Sequence, residues 1–223
     1  MTFDNMRFLS AWLLSIIIIF SLTQQSVNAN ELSEVEEDYL KKNGPLIFVS
    51  QTNYPPFEFL GSDGNRTGMC IDLVRWIATE FGFKVNFTDT SFKQAQDDVL
   101  SGKAHILTSL FFSEKRDQVF DFTKTVFTVP ASIFVMAKRP DIKNVNDLQG
   151  KIIAMQSGDY AQEFLESKGI KCSYLYTTNF AEATDLVIAD KADAIIGDEQ
   201  IVLYHIFSSD LTDRIKKVGE PLY

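Results

Sequence analysis

Cysteine and histidine are scarce in this sequence, and their scarcity argues against several kinds of site. The chain has two cysteines, Cys70 and Cys172, and two histidines, His105 and His205. The cysteine spacing fits no zinc site, so we expect two isolated thiols, with a disulfide as the alternative in an exported protein. The histidines are far apart in the sequence and each lies in an apolar stretch. We therefore expect neither a catalytic histidine nor a bound metal.

Excess positive charge and the common catalytic motifs are also missing. The formal net charge is −9 over 223 residues. Such an acidic surface repels phosphate groups, so we expect no nucleic-acid partner. The sequence has no nucleophile elbow, zinc-protease motif, phosphate loop or dinucleotide glycine pattern. We therefore expect a chain that is not an enzyme and carries no cofactor.

Long apolar runs are limited to one, near the amino terminus. Residues 10–22 read SAWLLSIIIIFSL, after Arg7 and before the small residues Val27-Asn28-Ala29. The run is shorter than the roughly 20 residues that span a bilayer. This pattern indicates a signal peptide over residues 1–29, with an uncleaved membrane anchor as the alternative. We expect a periplasmic protein that associates with the membrane only through this segment or a partner.

The rest of the chain has a regular alternation of strands and helices. An amphipathic helix is predicted within residues 30–44. The first set then has strands at 46–50, 84–87 and 104–110, and helices at 71–81 and 92–100. An extended apolar stretch at 126–136 leads to strands at 152–156, 174–177 and 194–197, and helices at 160–167, 181–189 and 201–207. This alternation predicts mainly parallel sheets with flanking helices, and two sets predict two α/β lobes.

Candidate ligand-binding residues follow the predicted strands, because ligands of open α/β sheets collect at the carboxyl ends of strands and at seams between domains. Arg116 follows the strand that ends near Leu110, and its planar guanidinium suits a carboxylate. A surface ion pair with a neighbouring acidic residue is the alternative. Asp198 follows another strand and suits an ammonium group, or else caps the next helix.

A turn between strand and helix offers a second type of contact. Free N–H groups at Ser157-Gly158 suit an anion, although Asp159 would repel one, and a helix cap is the alternative. Aromatic side chains near these strand ends would wall the cleft around a ligand: Tyr54, Phe92, Phe111 and Phe112.

Several short motifs, in a constant order, resemble family 3 of the bacterial extracellular solute-binding proteins. They are YPPFEF at 54–59, Gly68 with DL at 72–73, SGK at 101–103, SEKR at 113–116, FDFT at 120–123, DLQGK at 147–151, SG at 157–158 and ADAIIGD at 192–198. The resemblance implies a two-lobed clamshell, with lobe 1 at residues 45–133 and lobe 2 at 134–218. Residues 219–223 would begin the return crossover, and the carboxyl-terminal part of lobe 1 is expected to be missing.

The resemblance also implies roles for individual residues. Arg116 would hold a ligand α-carboxylate and Asp198 an α-ammonium, with Tyr54 and Phe92 as stacking walls. The full set of expected ligand-binding residues is Tyr54, Phe92, Leu110, Phe111, Arg116, Ser157, Gly158, Asp159 and Asp198. The sequence departs from the family where Phe111 and Asp159 replace frequent threonines and His105 replaces a usual aspartate, which leaves the specificity for amino acids open.

The function expected from this resemblance is binding of a small polar solute, an amino acid or related organic acid, for an ABC permease. The first alternative is the ligand-sensing module of a histidine kinase or diguanylate cyclase, because the FFSEKR motif is closer to such sensors. The second alternative is an enzyme resembling cyclohexadienyl dehydratase, with Asp159 and Asp198 as its acid-base groups.

Overall fold

A computed structural model describes residues 32–223, and the expected signal peptide lies outside these described residues. The chain divides into two compact units after residue 39. Helix α1 (Glu34–Asn43) begins in the first unit with an acidic first turn, and none of its residues is buried. Over residues 32–223, no helix has both the length and the apolar character needed to cross a bilayer.

The second unit contains the remaining elements. Its strands are β1 (Leu46–Gln51), β2 (Asn53–Tyr54), β3 (Glu58–Leu60), β4 (Arg66–Thr67), β5 (Val85–Thr90), β6 (Ile106–Leu107), β7 (Ala131–Met136), β8 (Ile152–Gln156), β9 (Ser173–Thr177), β10 (Ala194–Asp198) and β11 (Ile215–Val218). Its helices are α2 (Met69–Glu80), α3 (Phe92–Leu100), α4 (Ala161–Ser167), α5 (Phe180–Ile188) and α6 (Glu199–Ser208), with a 3₁₀ turn at Val145–Leu148.

The first lobe is built on a parallel sheet in the order β5-β1-β6. The central strand β1 is apolar on both faces because a helix covers each of them. Leu46 and Phe48 pack with Val74 of α2, while Val49 packs with Ala95 of α3. The short antiparallel strands β2, β3 and β4 form a second small sheet in this lobe.

The second lobe is built on a five-stranded sheet in the order β11-β7-β10-β8-β9. Strands β8, β9 and β10 pair in parallel, whereas β7 is antiparallel to both β10 and β11. Phe134 and Ile195 belong to the apolar cluster on one face, and Ile133 and Met155 to the cluster on the other. Each lobe is therefore an α/β sheet with apolar clusters on both faces, which confirms the predicted two-lobed fold.

The structure differs from the predicted strands at two places. The predicted strand at 126–136 begins only at Ala131, because Pro130 has no N–H to donate to a sheet. The predicted strand at 104–110 is reduced to Ile106–Leu107. Cys70 and Cys172 are free thiols, so the alternative of a disulfide between them is wrong. The limits of the lobes, 45–133 and 134–218, stay a prediction.

Candidate functional site

The carboxyl ends of three strands from the two lobes meet in one place. Gln51 ends β1 and Gln156 ends β8, and both side chains are buried. The Gln156 Nε2 donates to Gln51 Oε1 at 2.8 Å and to the Thr178 carbonyl at 3.1 Å. Beside them, the Tyr54 hydroxyl of the first lobe donates to the carboxylate of Asp198 at the end of β10. The lobes therefore touch directly through polar side chains at strand ends.

Arg116 lies at this junction and is only 8% exposed. Its Nη1 donates to the Phe111 carbonyl and its Nη2 to the Gly158 carbonyl of the second lobe, each at 2.8 Å. Burial lowers the pKa of Arg116, opposed by the carboxylates of Asp159 and Glu163. Within residues 32–223, Arg116 forms no ion pair. The alternative of a surface ion pair is therefore wrong.

Asp198 faces the same junction from the second lobe. It directly precedes α6, but its side chain makes no capping hydrogen bond, so the capping alternative is also wrong. Burial, together with the charge of Asp159, raises the pKa of Asp198 to about 7, against the Tyr54 hydrogen bond and Arg116, which lower it. A half-buried carboxylate of this kind is poised to accept a proton or a cationic group.

The segment between β8 and α4 offers a carbonyl where free N–H groups were predicted. The Ser157 N–H donates to the Thr177 carbonyl at 2.9 Å, so it is not free for an anion. The Gly158 carbonyl accepts from Arg116 and, at 3.2 Å, from Gln96 Nε2. Gly158 has a φ of 82°, and a Cβ there would lie 2.8 Å from Gln96 Nε2. Glycine thus suits both this backbone conformation and the close approach of the first lobe.

Asp159 begins the turn into α4 and shares the junction. Its Oδ1 accepts from the Ala161 N–H at 2.7 Å and from the Tyr223 hydroxyl at 3.5 Å. Burial raises the pKa of Asp159, while the Ala161 N–H and Arg116 lower it. The predicted helix-start role is therefore present, and the carboxylate also adds a second negative charge beside Asp198.

Aromatic rings from both lobes pack around this polar group. Phe111 stacks on Tyr160 at 4.7 Å between centroids, and Tyr223 packs edge-on against both rings. Phe112, predicted to wall the cleft, is 54% exposed and packs against Phe122 instead. Phe112 therefore lies outside the packed group of Phe111, Tyr160 and Tyr223, and its role as a wall of the cleft stays a prediction.

Two expected site residues contribute less directly. Phe92 is buried at the first position of α3, and Leu110 is half-buried. Neither is among the described side chains that form the polar and aromatic contacts between the lobes. Their roles as a stacking wall and a ligand contact stay predictions.

The buried carboxylate of Glu58 stabilises the carboxyl end of β1, where Gln51 lies. Glu58 is fully buried, and its oxygens accept from the Gln51 N–H, the Thr108 hydroxyl and the Ser109 hydroxyl. Burial raises the pKa of Glu58, against these hydrogen bonds. The network fixes the backbone that presents Gln51. In the described part of the chain, no cluster of three or more metal-binding side chains exists.

The Asp198 carboxyl makes stability depend on pH. Unfolded, it ionises near its ordinary pKa of 3.8, whereas in the folded state its pKa is about 7. Folding therefore takes up a proton between these values, and this carboxyl destabilises the fold as pH rises from about 4 to about 7. Asp198→Asn removes this dependence. Measured by urea unfolding between about pH 4 and pH 7, the stability of the variant relative to the native protein should increase by up to about 1.4 kcal/mol for each unit that the pH rises.

Sequence reasoning missed several residues of this junction. Gln51 and Gln156 sit directly at the ends of β1 and β8, so the strand-end rule could have found both. Tyr160 could have been inferred from its position next to Asp159. Tyr223 gives no local signal, because it reaches the site only after β11, where the Leu222 N–H donates to the Ala131 carbonyl at 2.7 Å.

Known proteins resemble this chain in sequence. The family model of the bacterial extracellular solute-binding proteins, family 3, matches residues 46–157. The ABC transporter arginine-binding protein 1 of Escherichia coli K12 is 23% identical over 180 residues, which is 80% of this chain and 73% of that protein. The L-cystine-binding protein TcyJ of the same strain is 25% identical over 189 residues, which is 82% of this chain and 66% of that protein.

Solved structures resemble it in fold. A histidine kinase sensor domain with similarity to periplasmic binding proteins superposes with a TM-score of 0.76 at 25% identity, covering 82% of this chain and 79% of that one. An ancestral arginine-binding protein bound to glutamine gives 0.71 at 27%, covering 78% of each chain. The ancestral amino acid-binding protein AncCDT-1, a precursor of cyclohexadienyl dehydratase, gives 0.71 at 26%, covering 82% and 81%.

Proposed function

Because this chain belongs to the bacterial extracellular solute-binding proteins, family 3, we propose that it binds a small amino acid between its lobes, in the periplasm, and delivers it to an ABC permease. The observation that carries the proposal is the meeting of opposite charges from the two lobes. Arg116 comes from the first lobe and Asp198 from the second, and each acts electrostatically on the other. A zwitterion that contacts both would favour closure of the lobes.

Each charged group has a defined part in this binding. The Arg116 guanidinium takes the ligand carboxylate in place of the Gly158 carbonyl, exchanging a neutral acceptor for an anion. Asp198 takes the α-ammonium beside the Tyr54 hydroxyl that already contacts it. The stacked rings of Phe111 and Tyr160 provide an apolar wall that limits the access of water.

The charge balance of the site favours ligands with an extra positive charge. The three carboxylates of Asp159, Glu163 and Asp198 all act on the one guanidinium of Arg116. An amino acid with a cationic side chain reduces this excess of negative charge, whereas glutamate increases it. The arginine-binding relative supports this choice. We therefore propose arginine, ornithine or lysine ahead of neutral and acidic amino acids.

A thermal-shift panel tests the proposal. A ligand at a hundred times its Kd stabilises the native state by about 2.7 kcal/mol, which raises the Tm of a chain of this size by about 5–10 °C. We expect such a rise with L-arginine or L-ornithine, a smaller one with L-glutamine and none with L-glutamate. A panel in which no amino acid raises the Tm, or only L-glutamate does, would contradict the proposal.

A second candidate is a sensory module, favoured by the likeness to the histidine kinase sensor domain. The lobes and the charged residues would act in the same way, but closure would be read by a signalling domain instead of a permease. The open reading frame of the gene distinguishes the two functions. A kinase or cyclase domain encoded after residue 223 selects the sensor, and a permease gene beside it selects transport.

The enzyme alternative is weaker, because the relatives named above are binding proteins. Asp159 and Asp198 remain its candidate acid-base groups. Formation of product from prephenate by the purified protein would support it over binding alone.

A further inference from the structure

Gln51, the last residue of β1, lies beyond the point where this strand loses one of its neighbours. On the edge of β1 that faces β6, the Val49 carbonyl accepts from the Thr108 N–H at 3.1 Å. Because a strand repeats every two residues, the N–H and the carbonyl of Gln51 face this same edge. Strand β6, however, ends at Leu107. The buried backbone groups of Gln51 therefore need partners from elsewhere in the chain.

Two charged side chains, which we call the anchor pair, supply these partners. Glu58 of β3 accepts from the Gln51 N–H at 3.2 Å, and Nη1 of Arg66 on β4 donates to the Gln51 carbonyl at 2.8 Å. Glu58 is fully buried and Arg66 is 8% exposed. Arg66 also forms an ion pair with Asp89 of β5, the other neighbour of β1. Hydrogen bonds to charged groups are roughly twice as strong as neutral ones, so the anchor pair holds this peptide backbone firmly.

The Glu58 carboxylate also links β1 to the loop that carries Arg116. Its oxygens accept from the hydroxyls of Thr108 and Ser109, which directly follow β6. Phe111 lies in the same loop, and its carbonyl accepts from Arg116 Nη1 at 2.8 Å. One buried carboxylate therefore joins the end of β1 to the loop that presents the guanidinium.

The two segments that the anchor pair joins both reach the second lobe. The Gln51 side chain accepts from Gln156 Nε2 at 2.8 Å, and Arg116 Nη2 donates to the Gly158 carbonyl at 2.8 Å. Over residues 32–223, the hydrogen bonds and ion pair of the anchor pair involve first-lobe residues only. The anchor pair can therefore affect the junction only through the residues that it holds.

We propose that Glu58 and Arg66 are positioning residues for ligand binding, which set the backbone of Gln51 and, through Glu58, the loop that presents Arg116. This inference rests on the proposed function, because it treats the junction between the lobes as the ligand-binding site. A preformed arrangement of the first lobe reduces the conformational entropy that is lost on binding, so it raises the affinity.

Replacing Glu58 separates its acceptor atoms from its volume. Glu58→Leu should weaken the binding of L-arginine by roughly tenfold, because it leaves the Gln51 N–H without an acceptor and releases the loop of Arg116. Glu58→Gln should bind nearly as tightly as the native protein. Its amide oxygen can still accept from the Gln51 N–H, and its NH₂ group can donate to the Thr108 hydroxyl. That hydroxyl can then donate to the Val49 carbonyl, which lies 3.2 Å away.

Val74→Ala is the control for a general loss of stability in the first lobe. Val74 is buried on α2 and packs with Leu46 and Phe48 of β1, away from the anchor pair. The control should lower the midpoint of urea unfolding and leave the calorimetric Kd for L-arginine unchanged. If Val74→Ala weakened binding as much as Glu58→Leu at the same loss of stability, the positioning role would be overturned.

A measurement without ligand tests the positioning directly. In NMR spectra of the full chain, Glu58→Leu should shift the signals of the Gln51 amide and the Arg116 Nε and speed hydrogen exchange at the Gln51 amide. Ser109→Ala is a milder variant that removes only one hydrogen bond to Glu58, and it serves if the leucine variant does not fold. It should shift the Arg116 signal more than the Gln51 signal and weaken binding by roughly threefold.

The two measurements distinguish a failure of this inference from a failure of the proposed function. If L-arginine binds and its Kd is the same in the native protein, Glu58→Leu and Ser109→Ala, the anchor pair has no positioning role and the proposed function stands. If no amino acid binds, the proposed function fails, and the NMR signals decide the positioning by themselves. Gln51 and Arg116 signals that stay unchanged in both variants would overturn it.

Discussion

Replacing Arg116 with alanine should weaken amino-acid binding by roughly tenfold to a hundredfold. The guanidinium is a buried positive group that the first lobe contributes to the junction, and its planar fork can hold a carboxylate with two hydrogen bonds. A charge-assisted contact of this kind contributes about 1.5–3 kcal/mol. The variant also loses the Arg116 hydrogen bond to the Gly158 carbonyl, which joins the lobes. Calorimetric Kd values for L-arginine, or for the ligand found in the panel, would measure the loss.

Two further variants separate charge from geometry. Arg116→Lys keeps the positive charge but loses the planar fork, so its affinity should fall between those of the native protein and the alanine variant. Arg75→Ala removes an exposed arginine of α2 that pairs with Asp72, and it should leave the Kd unchanged. A folded Arg116→Ala protein that binds as tightly as the native one would remove Arg116 from the site.

Replacing Gly197 with alanine should destabilise the fold by about 3 kcal/mol, near the upper end of the usual range for overpacked cores. Gly197 lies in β10, the strand that ends at Asp198, and pairs with Ser132 of β7. A Cβ at this position would overlap the ring of Phe180, which is completely buried. Urea unfolding at pH 7 would measure the change.

A compensating substitution tests the cause of this loss. Phe180→Leu removes the ring atoms that the new methyl group would meet, so it should recover part of the stability in the double variant. By itself, Phe180→Leu should be destabilising, because it leaves space in a packed core. If Gly197→Ala unfolded at the same urea concentration as the native protein, the packing of β10 against Phe180 would be refuted.

The fold could be predicted from the sequence to the extent that local signals determine it. Helix α3 was predicted with the observed bounds, because Ser91 caps its first turn and a glycine follows its end. Strand β6 was predicted too long, and β7 was predicted to begin five residues before its observed start at Ala131. The length of β6 depends on its pairing partner, which the local sequence does not contain, whereas the start of β7 follows from Pro130, which the prediction included in the strand. The two-lobed α/β architecture follows from the alternation of strands and helices.

The site was predictable where its residues follow strands or carry a family motif. Arg116, Asp198 and Tyr54 were predicted and do lie at one junction, in contact or in electrostatic reach of one another. Phe112 packs against Phe122 and does not join the rings of Phe111, Tyr160 and Tyr223, a difference that residue type alone does not indicate. The Gly158 carbonyl could not be foreseen, because its direction depends on a backbone torsion that the residue type permits but does not impose.

The direct hydrogen bond between the Gln51 and Gln156 side chains has a consequence for how an outside partner would recognise the loaded state. This contact between the lobes needs no ligand. The protein itself therefore supplies part of the free energy of closing the lobes, and a bound ligand supplies only the rest. A partner that recognises only the shape of the closed conformation would therefore also bind the ligand-free protein. Under the proposed function, a partner that distinguishes the ligand-bound from the ligand-free protein would rely on features that only the ligand alters, such as the local charge around Asp198.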